Sequence, residues 1–480
     1  MKQNKIWKQR GYTPRPRRVG AKMPQRKSWR NRCSAAALRD VLSFWGTTIM
    51  LLVFAGMSQA QTPLALDEAL RLARQNNLQL QKQQQKQRIA ELEVAIKRGQ
   101  RLPSLDLSAT ASYTDEVAKL DIPVDQLGLP LSSQPRIELG GHDRTDIAVG
   151  VRQPIFTGSR LSTQVELAKT AFESEQKRLE VLQQQTAYQV YLLFYQAQSL
   201  KKERKIQDAS LSRLSVQLQQ TRNLFNAAQA MAYDTLQVYN QTLQLKIQME
   251  QNQRDQRLTD LQTARLLNLS DVRPIAEMEL TKPPAFRAPL DSLKQKAVQS
   301  RSELSGVRLG QRSAKLNRRL AQSTFFPEIG AEAKYHYGKP GLNQVANQWM
   351  GYGTVGVNLQ WNLWRGNQDR HRVEAAEVEY NRLTLEEREL LRSIDYEVER
   401  SWENAKFAAE QIELAEQLLA QQQERYRIID AQQREGVATT NDVIVAESDL
   451  TQAEVQLQRA LIQYYWAESE ILLATGVIGE

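Results

Sequence analysis

The stretch that decides the fold is VGVRQPIFTG, residues 149–158, because it recurs in altered form as VNLQWNLWRG at residues 357–366. Both versions keep apolar or aromatic residues at matching positions, and both end in glycine. The same offset of 208 residues relates Val165, Glu166, Ala168 and Asp234 to Val373, Glu374, Ala376 and Asp442. A period this long indicates a duplicated domain rather than a short solenoid repeat.

The duplication continues toward the N-terminus with a second offset. There, 224 residues separate Leu66, Asp67, Ala73, Leu80 and Pro103 from Leu290, Asp291, Ala297, Leu304 and Pro327. Copy one therefore has 16 more residues than copy two between Pro103 and Val149, and we place them in a single loop. The predicted organisation is a basic extension with a signal peptide (1–60), repeat 1 (61–270), a linker (271–288) and repeat 2 (289–476).

The basic excess of the chain lies in its N-terminal extension. The net charge is +10, but residues 1–40 hold 13 Lys and Arg against one acid, and the chain after residue 60 has a net charge of −2. This distribution argues against nucleic acid as a partner. Val41 to Met57 is largely apolar and precedes Ser58-Gln59-Ala60, a small-residue pattern typical of signal-peptidase sites. We therefore expect export, with a membrane anchor as the alternative.

No residue pattern predicts catalysis or a bound cofactor. The only cysteine, Cys33, lies in the extension, so the rest of the chain offers no disulfide and no cysteine metal site. The histidines His142, His336 and His371 lack the spacing of metal ligands. We therefore expect a protein that is not an enzyme and that has no cofactor and no metal.

Two short motifs have simple structural interpretations. Gly351-Tyr-Gly353-Thr-Val-Gly356 matches G-x-G-x-x-G, but it lies inside a strand pattern instead of between a strand and a helix, so strand glycines are predicted. Ser174-Glu-Gln-Lys177 matches S-x-x-K without its companion motifs and is predicted to lie on a helix surface.

Very long helices are predicted in both copies. No Gly or Pro occurs between Gly158 and Pro274, or between Gly366 and Gly436. A helix from about Ser159 to Phe225 would be ~100 Å long at 1.5 Å per residue. In copy two, a seam of apolar residues with 3-4 spacing predicts coiled-coil packing: Val443, Ala446, Leu450, Ala453, Leu457, Ala460, Tyr464, Ala467, Ile471 and Ala474.

Each copy also contains two stretches of period two. Clear examples run from Ser104 to Tyr113, from Glu328 to Tyr337 and from Thr354 to Leu363, with apolar and polar residues alternating. Such segments of about ten residues are typical of outer-membrane strands, although half-buried strands of soluble sheets share the pattern.

Composition and strand count limit how such a chain could cross a membrane. A mean hydropathy of −0.56 and the lack of another long apolar run exclude a polytopic helical membrane protein. A chain that spans lipid must then do so as a barrel. Four strands per chain cannot close one, because about eight is the minimum, so two or three chains must assemble.

The order of helix, two strands, long helix, tight turn and helix, repeated twice, resembles the TolC-like outer-membrane efflux proteins, or outer membrane factors. The resemblance covers residues 64–476 and rests on motifs that occur in order in both copies: Leu66-Asp67-Glu68-Ala69-Leu70, Arg101-Leu102-Pro103, Phe326-Pro327, residues 153–158 and 360–366, Gly436 and Asn441-Asp442-Val443.

The resemblance implies a mainly α fold with a transmembrane β-barrel. In the family, a homotrimer shares a 12-stranded barrel in outer-membrane lipid, and duplicated long-helix hairpins form an α-barrel tunnel in the periplasm. Such a channel is the exit duct of a tripartite efflux or type I secretion system and works with a periplasmic adaptor (membrane fusion protein) and an inner-membrane pump. The alternative is a periplasmic coiled-coil adaptor or scaffold.

The resemblance also implies functional residues at the hairpin turns. Asp234 and Asp442, with Tyr233 and Asn441 before them, correspond to the family's periplasmic pore constriction, and Ala228 and Gly436 to the hairpin tips that contact the adaptor. The simpler interpretation of both aspartates is a helix N-cap or an acid in the first turn, which the helix dipole favours. The chain departs from the family pattern at Ala438 and Val445, where family members often carry a base and a second acid.

Overall fold

The computed structural model describes residues 63–121, 136–139, 141–282 and 288–479. The predicted signal peptide and the middle of the long first loop lie outside these residues. The described residues form one structural unit. None of the described helices is both long and apolar enough to cross a membrane.

Copy one consists of two short helices, a strand region and a long helical hairpin. In chain order these are α1 (Leu66–Asn76), α2 (Leu78–Gly99), β1 (Ser104–Tyr113), β2 (Ala118–Asp121), β3 (Arg136–Leu139), β4 (Asp143–Phe156), α3 (Arg160–Asn226) and α4 (Ala232–Leu266). The predicted long helix is confirmed, since α3 has 67 residues.

Copy two repeats this order without the counterparts of β2 and β3. It contains α5 (Leu290–Ser300), α6 (Ser302–Gln322), a 3-10 turn (Ser323–Phe325), β5 (Glu328–Lys339), β6 (Met350–Gln360), α7 (Gln368–Arg434) and α8 (Thr440–Ala474). Helix α7 also has 67 residues, so the two hairpins match in length.

The structure differs from the sequence-based expectation in three places. The helix before the strands is broken in both copies, at Asn77 and at its counterpart Arg301. The longer first loop contains two further strands, β2 and β3, which form a separate antiparallel pair. Strand β6 begins four residues before the predicted start at Thr354 and ends at Gln360.

The break at Asn77 has a local cause. The Asn77 side-chain oxygen accepts hydrogen bonds from the backbone N–H groups of Gln79 (2.9 Å) and Leu80 (3.2 Å), so this residue caps α2. Arg301 lies in the same extended conformation, but its guanidinium instead pairs with Glu303 (3.1 Å) and Glu397 (2.8 Å). The same turn is therefore stabilised by different chemistry in each copy.

The four longer strands form one antiparallel sheet in the order β1-β4-β5-β6. Copies one and two meet at β4 and β5, where Val149 pairs with Tyr335. The ladder is irregular between Pro154 and Phe156, because proline has no N–H to donate. Strands β1 and β6 are the two edges, and each pairs on one side only within the described residues.

The two faces of the sheet differ in polarity as the period-two pattern predicts. One face carries apolar residues that remain exposed, among them Leu105, Leu107, Val149, Val355 (87% exposed) and Leu359. The other carries polar groups, including Arg152 and Glu332 (3.5 Å apart). The glycine motif of copy two lies within β6, where a Cβ on Gly351 would collide with the Tyr335 hydroxyl. The strand-glycine prediction is thus confirmed.

Helix α3 is the centre of the helical region. It contacts α4 and α8 along the hairpins, and α2 and α6 on the part nearer the sheet. Helix α7 contacts α8 and α6 in the same way. The neighbour orders are therefore α4-α3-α8-α7 and α2-α3-α6-α7, with α4, α2 and α7 at the edges.

The predicted α8 seam forms much of the helical core. Nine of its ten members are buried, and the tenth, Leu457, is partly buried. Several of them pack against α7 residues such as Ala408 and Ile412, which belong to one core cluster. Small residues at this seam let α7 and α8 approach closely.

Candidate functional site at the hairpin tips

The α3–α4 turn of copy one closes with two backbone hydrogen bonds. The Ala228 N–H donates to the Phe225 carbonyl (3.0 Å) and the Gln229 N–H to the Leu224 carbonyl (2.8 Å), the pattern of a Schellman motif. Ala228 has φ +57°, in the left-handed region. A side chain with a Cβ costs roughly 1–2 kcal/mol in this conformation.

The α7–α8 turn of copy two has the same geometry with glycine at the critical position. The Gly436 N–H donates to the Gln433 carbonyl (2.9 Å) and the Val437 N–H to the Gln432 carbonyl (2.9 Å). Gly436 has φ +78° and, lacking a Cβ, adopts it without strain. Ala228 and Gly436 are therefore structural counterparts.

The two aspartates take part in N-terminal capping. Asp234 is the third residue of α4, and its carboxylate accepts the Met231 N–H (2.8 Å). Asp442, the third residue of α8, accepts both the Thr439 N–H (2.8 Å) and the Thr439 hydroxyl (2.6 Å). Copy two thus has a capping box in which the Thr439 hydroxyl oxygen also accepts the Asp442 N–H (3.2 Å).

These contacts affect the charge of the second aspartate. Hydrogen bonds from the Thr439 hydroxyl and backbone N–H hold the pKa of Asp442 below its usual value. The carboxylate form is therefore favoured at this helix N-terminus. The structure therefore shows the simpler, capping interpretation for both acids.

Only part of the predicted site is brought together within one chain. A cavity of about 870 Å³ lies between the two tips and is lined by Ala228, Asp234 and Gly436 among other residues. Asp442, Asn441 and Tyr233 do not line it, and all three are exposed, Tyr233 to 65%. The chain thus places both tips and one acid around a shared cavity and directs the other three residues elsewhere.

Buried amides hold the two tips side by side. The Gln217 side-chain amide of α3 donates to the Gln433 side-chain oxygen of α7 (3.0 Å). Gln433 in turn donates to the Thr440 hydroxyl at the start of α8 (3.4 Å). All three residues are buried, so the contact between the copies near the tips is polar.

A charged link farther from the tips was missed by the sequence reasoning. Arg213 of α3 donates to Glu447 (3.1 Å), Thr451 (2.8 Å) and Glu454 (3.1 Å) of α8. The Ser210 hydroxyl also donates to Glu447 (2.6 Å), which is only 3% exposed. The sequence does contain a signal for this link. Glu447, Thr451 and Glu454 follow i, i+4, i+7 spacing and form a polar stripe on α8 beside the apolar seam.

The described residues contain no group of three or more His, Cys, Asp or Glu that could hold a metal ion. His336 lies 3.1 Å from the Asp146 carboxylate and stacks on Tyr352 on the polar face of the sheet. Lys177 of the S-x-x-K match lies in α3 and pairs with Glu180 (2.8 Å), as the helix-surface interpretation predicts.

The comparison with protein families gives a direct match to both copies. The model of the outer membrane efflux protein family matches residues 69–268 and 293–477. No curated protein matches the chain in sequence.

Solved structures share this fold at low sequence identity. CusC is 14% identical with a TM-score of 0.72, covering 86% of this chain and 92% of its own. VceC from Vibrio cholerae is 15% identical with a TM-score of 0.70, covering 86% and 97%, and is described as an outer membrane protein. The Campylobacter jejuni CmeC outer membrane channel is 12% identical with a TM-score of 0.71, covering 86% and 85%. The chain belongs to the outer membrane efflux protein family, with a mainly α fold that carries a four-stranded sheet.

Proposed function

We propose that this member of the outer membrane efflux protein family is the exit duct of a tripartite efflux or type I secretion system. In this proposal, three copies form a channel whose strands lie in the outer membrane and whose helices line a periplasmic tunnel. The observation that carries the proposal is the way the two copies contact each other within one chain.

The internal contacts of the hairpins specify what their free edges can bind. The first hairpin helix of copy one, α3, contacts the second hairpin helix of copy two, α8. If the same contact repeats between copy two of one chain and copy one of the next, then α7, the first hairpin helix of copy two, contacts α4 of the next chain. Helices α7 and α4 are the edges of the described helical layer, and both expose apolar side chains: Leu385, Phe407 and Leu414 on α7, and Leu236, Ile247 and Leu261 on α4.

The same relation holds nearer the sheet. Helix α3 contacts α6 of copy two, so α7 should contact α2 of the next chain. In the sheet, β4 of copy one pairs with β5 of copy two, so β6 should pair with β1 of the next chain. Helix α2 exposes Ile89 and Ile96, and among the described residues each edge strand has a partner strand on one side only. In this proposal the head-to-tail contact closes into a ring instead of continuing as an open filament.

The strands give the size of the ring. Eight strands is about the minimum for a transmembrane barrel, and four strands per chain give eight for two copies and 12 for three. Three copies agree with the assembly that the family resemblance implies. An outward apolar face and an inward polar face would match the lipid and the lumen of such a barrel. A periplasmic scaffold would have no use for a sheet with this arrangement.

The tips are the proposed periplasmic end of the duct. The turns at Ala228 and Gly436 are exposed, as contact with an adaptor would require. The carboxylates of Asp234 and Asp442, with Tyr233 and Asn441, would form the constriction when three chains bring them to one axis. Crowded carboxylates in a narrow passage attract cations and make a pore cation-selective.

The constriction can be tested in planar bilayers with the double variant Asp234→Asn and Asp442→Asn. The asparagine side-chain oxygen can still accept the N–H of the N-cap residue, as the aspartate does, but it carries no charge, so the trimer should fold. We expect lower cation selectivity and weaker block by multivalent cations from the periplasmic side. A matched control is Glu250→Gln with Glu403→Gln, which removes one exposed acid from each hairpin. Unchanged selectivity and block in the aspartate variant would leave the two acids with the capping role alone.

A further inference from the structure

The junction between sheet and helices inside one chain is a template for the junction between chains. Where the two copies meet, Gly158 after β4 packs on the turn before β5. A Cβ on Gly158 would lie 2.7 Å from the Phe326 Cβ and 2.8 Å from the Ser323 carbonyl oxygen. Its counterpart Gly366 has the same left-handed conformation (φ +60°), but a Cβ there would meet nothing within 4 Å in the single chain. The space beside Gly366 is therefore open to the next chain of the proposed ring.

The duplication indicates which residues of the next chain would fill this space. At the 224-residue offset, the counterparts of Phe326 and Ser323 are Leu102 and Gly99. If the internal contact repeats between chains, Gly366 of one chain packs against Leu102 and Gly99 of the next. These residues lie between α2 and β1 in one chain and between β6 and α7 in the other.

The strand register places apolar side chains at the same junction. Within one chain, Phe156 pairs with Ile329 at the end of the β4–β5 ladder. The corresponding pair between chains is Trp364 with Leu105, which belongs to the apolar face of the sheet. Trp364 is 79% exposed in the single chain, and Leu363 before it is exposed as well. The apolar face of the sheet thus continues to this junction.

Four exposed arginines adjoin the predicted contact on its two sides: Arg98, Arg101, Arg365 and Arg370. Three of them have no side-chain partner within the described part of the chain: Arg98, Arg101 and Arg370. Arg365 lies 3.8 Å from the Asp369 carboxylate, which Arg372 also approaches, to 3.2 Å. One acid is therefore shared between two arginines, and the others have none.

The internal junction lacks charge at the positions of these arginines. Their counterparts there are Gln322, Phe325, Thr157 and Ser162. The internal junction instead has one ion pair, Arg160 with Glu328 (2.9 Å), whose counterparts Gln368 and Ser104 are uncharged. The four arginines are therefore specific to the junction between chains and are not a by-product of the duplication.

The described acids close to these arginines in the chain are already engaged. Glu93 pairs with Lys97 (3.4 Å), and Asp106 accepts the Ser104 hydroxyl (3.2 Å) on the polar face of the sheet. Like charges that are brought together repel each other. Contact between chains would bring Arg98 and Arg101 of one chain toward Arg365 and Arg370 of the other. An anion between them would remove this repulsion.

We propose that the phosphate group of an anionic phospholipid binds at this junction, between the arginines of one chain and those of the next. Guanidinium groups bind phosphate with paired, charge-assisted hydrogen bonds. A lipid is the source because the exposed side chains of Trp364, Leu363 and Leu102 lie beside the arginines, and tryptophan is typical of membrane interfaces. The inference rests on the proposed ring, to which it adds a lipid that joins neighbouring chains.

The test measures the stability of the ring in nanodiscs of defined lipid composition. The purified full-length protein is reconstituted in phosphatidylcholine with or without phosphatidylglycerol, and the temperature at which the complex of three chains dissociates is recorded. We expect phosphatidylglycerol to raise this temperature, because a ligand that binds only the assembled state stabilises it. Native mass spectrometry should show phosphatidylglycerol retained on the complex, one molecule for each junction.

Two double variants remove the charge from one side of the junction each. They are Arg98→Gln with Arg101→Gln, and Arg365→Gln with Arg370→Gln. Each should lower phosphatidylglycerol retention about tenfold or more, as expected when charge-assisted hydrogen bonds are lost. In phosphatidylcholine alone, each should raise the dissociation temperature above that of the unaltered ring, because the repulsion is relieved. A damaged protein could not give this second result.

The matched control is Arg222→Gln with Arg257→Gln, which removes two exposed bases from the first hairpin, away from the sheet. Its response to phosphatidylglycerol should equal that of the unaltered chain. Inorganic phosphate added to phosphatidylcholine nanodiscs distinguishes a lipid from a free anion. We expect it to stabilise the ring far less than phosphatidylglycerol does.

Three results would overturn the inference while the ring itself persists. They are an unaltered ring that phosphatidylglycerol does not stabilise, equal stabilisation of the junction variants, and equal stabilisation by inorganic phosphate. A chain that forms no complex of three in either lipid would contradict the proposed function as well, since the junction would then not exist.

Discussion

The two hairpin tips have the same backbone but different residues at the positions that decide its stability. Copy two has glycine at the left-handed position, Gly436, and threonine as the N-cap, Thr439. Copy one has Ala228 and Met231 at these positions. Alanine is strained there, and methionine has no oxygen to cap the helix. The duplication therefore preserved the backbone of the turn but not its local stability. The turn of copy one is the less stable of the two.

This difference bears on which tip would move first. Local opening is easiest where strain is present and capping is absent, so the α3–α4 turn should open more often than the α7–α8 turn. The two tips lie side by side, and the contacts between the hairpins fix their relative position.

Replacement of Arg213 by methionine should have the largest effect. It removes the link between α3 and α8 and leaves Glu447, 3% exposed, without its cationic partner. Breaking a buried pair from one side costs about 3–5 kcal/mol, and the partial exposure of Arg213 places the expected loss near the lower end. Chemical denaturation of the purified protein measures it. The control Arg222→Met, at an exposed position of the same helix, should change stability by less than about 0.5 kcal/mol. Equal losses in both variants would contradict the link.

Substitution of the residues with left-handed backbone conformation should change the stability of the two tips in opposite directions. Gly436→Ala introduces a Cβ at φ +78° and should destabilise its turn by about 1–2 kcal/mol. Ala228→Gly removes the Cβ at φ +57° and should stabilise its turn by a similar or smaller amount. Hydrogen exchange of the last-turn amides of α3 and α7 reports each tip separately. The comparison fails if both variants shift exchange in the same direction.

Substitution of the N-cap residues should have the smallest effect on stability. Thr439→Ala removes the hydroxyl that accepts the Asp442 N–H and should cost about 1 kcal/mol at α8. Met231→Thr should stabilise α4 by about the same amount, because the acid needed for a capping box, Asp234, is already present. The first-turn amides of α4 and α8 show the result in the same exchange experiment. A Met231→Thr variant without slower exchange at α4 would refute the assigned N-cap position.

Much of the fold follows from periodicity that the sequence displays directly. The long helices follow from the stretches without Gly and Pro, and the α8 seam from its 3-4 spacing. The alternating strands follow from their period of two, although β6 is displaced from its predicted bounds because the glycines at 351 and 353 weaken the apolar signal at its start. These features depend on residues close together in the chain.

The features that sequence reasoning missed depend on contacts between distant residues. Arg301 breaks a helix where its counterpart Asn77 does, but it is held by Glu397 of another helix. Arg213 pairs with acids more than 200 residues away. The side-chain oxygen of Gln207, which has no hydrogen-bond partner among the described residues, is notable only because the folded chain buries it. No periodic pattern marks such residues.

The central claim is that the free edges of one chain bind those of the next and close a ring of three. Native mass spectrometry of the protein extracted from outer-membrane fractions tests this claim directly. We expect a complex with the mass of three processed chains. A monomer recovered from the soluble periplasmic fraction would contradict it.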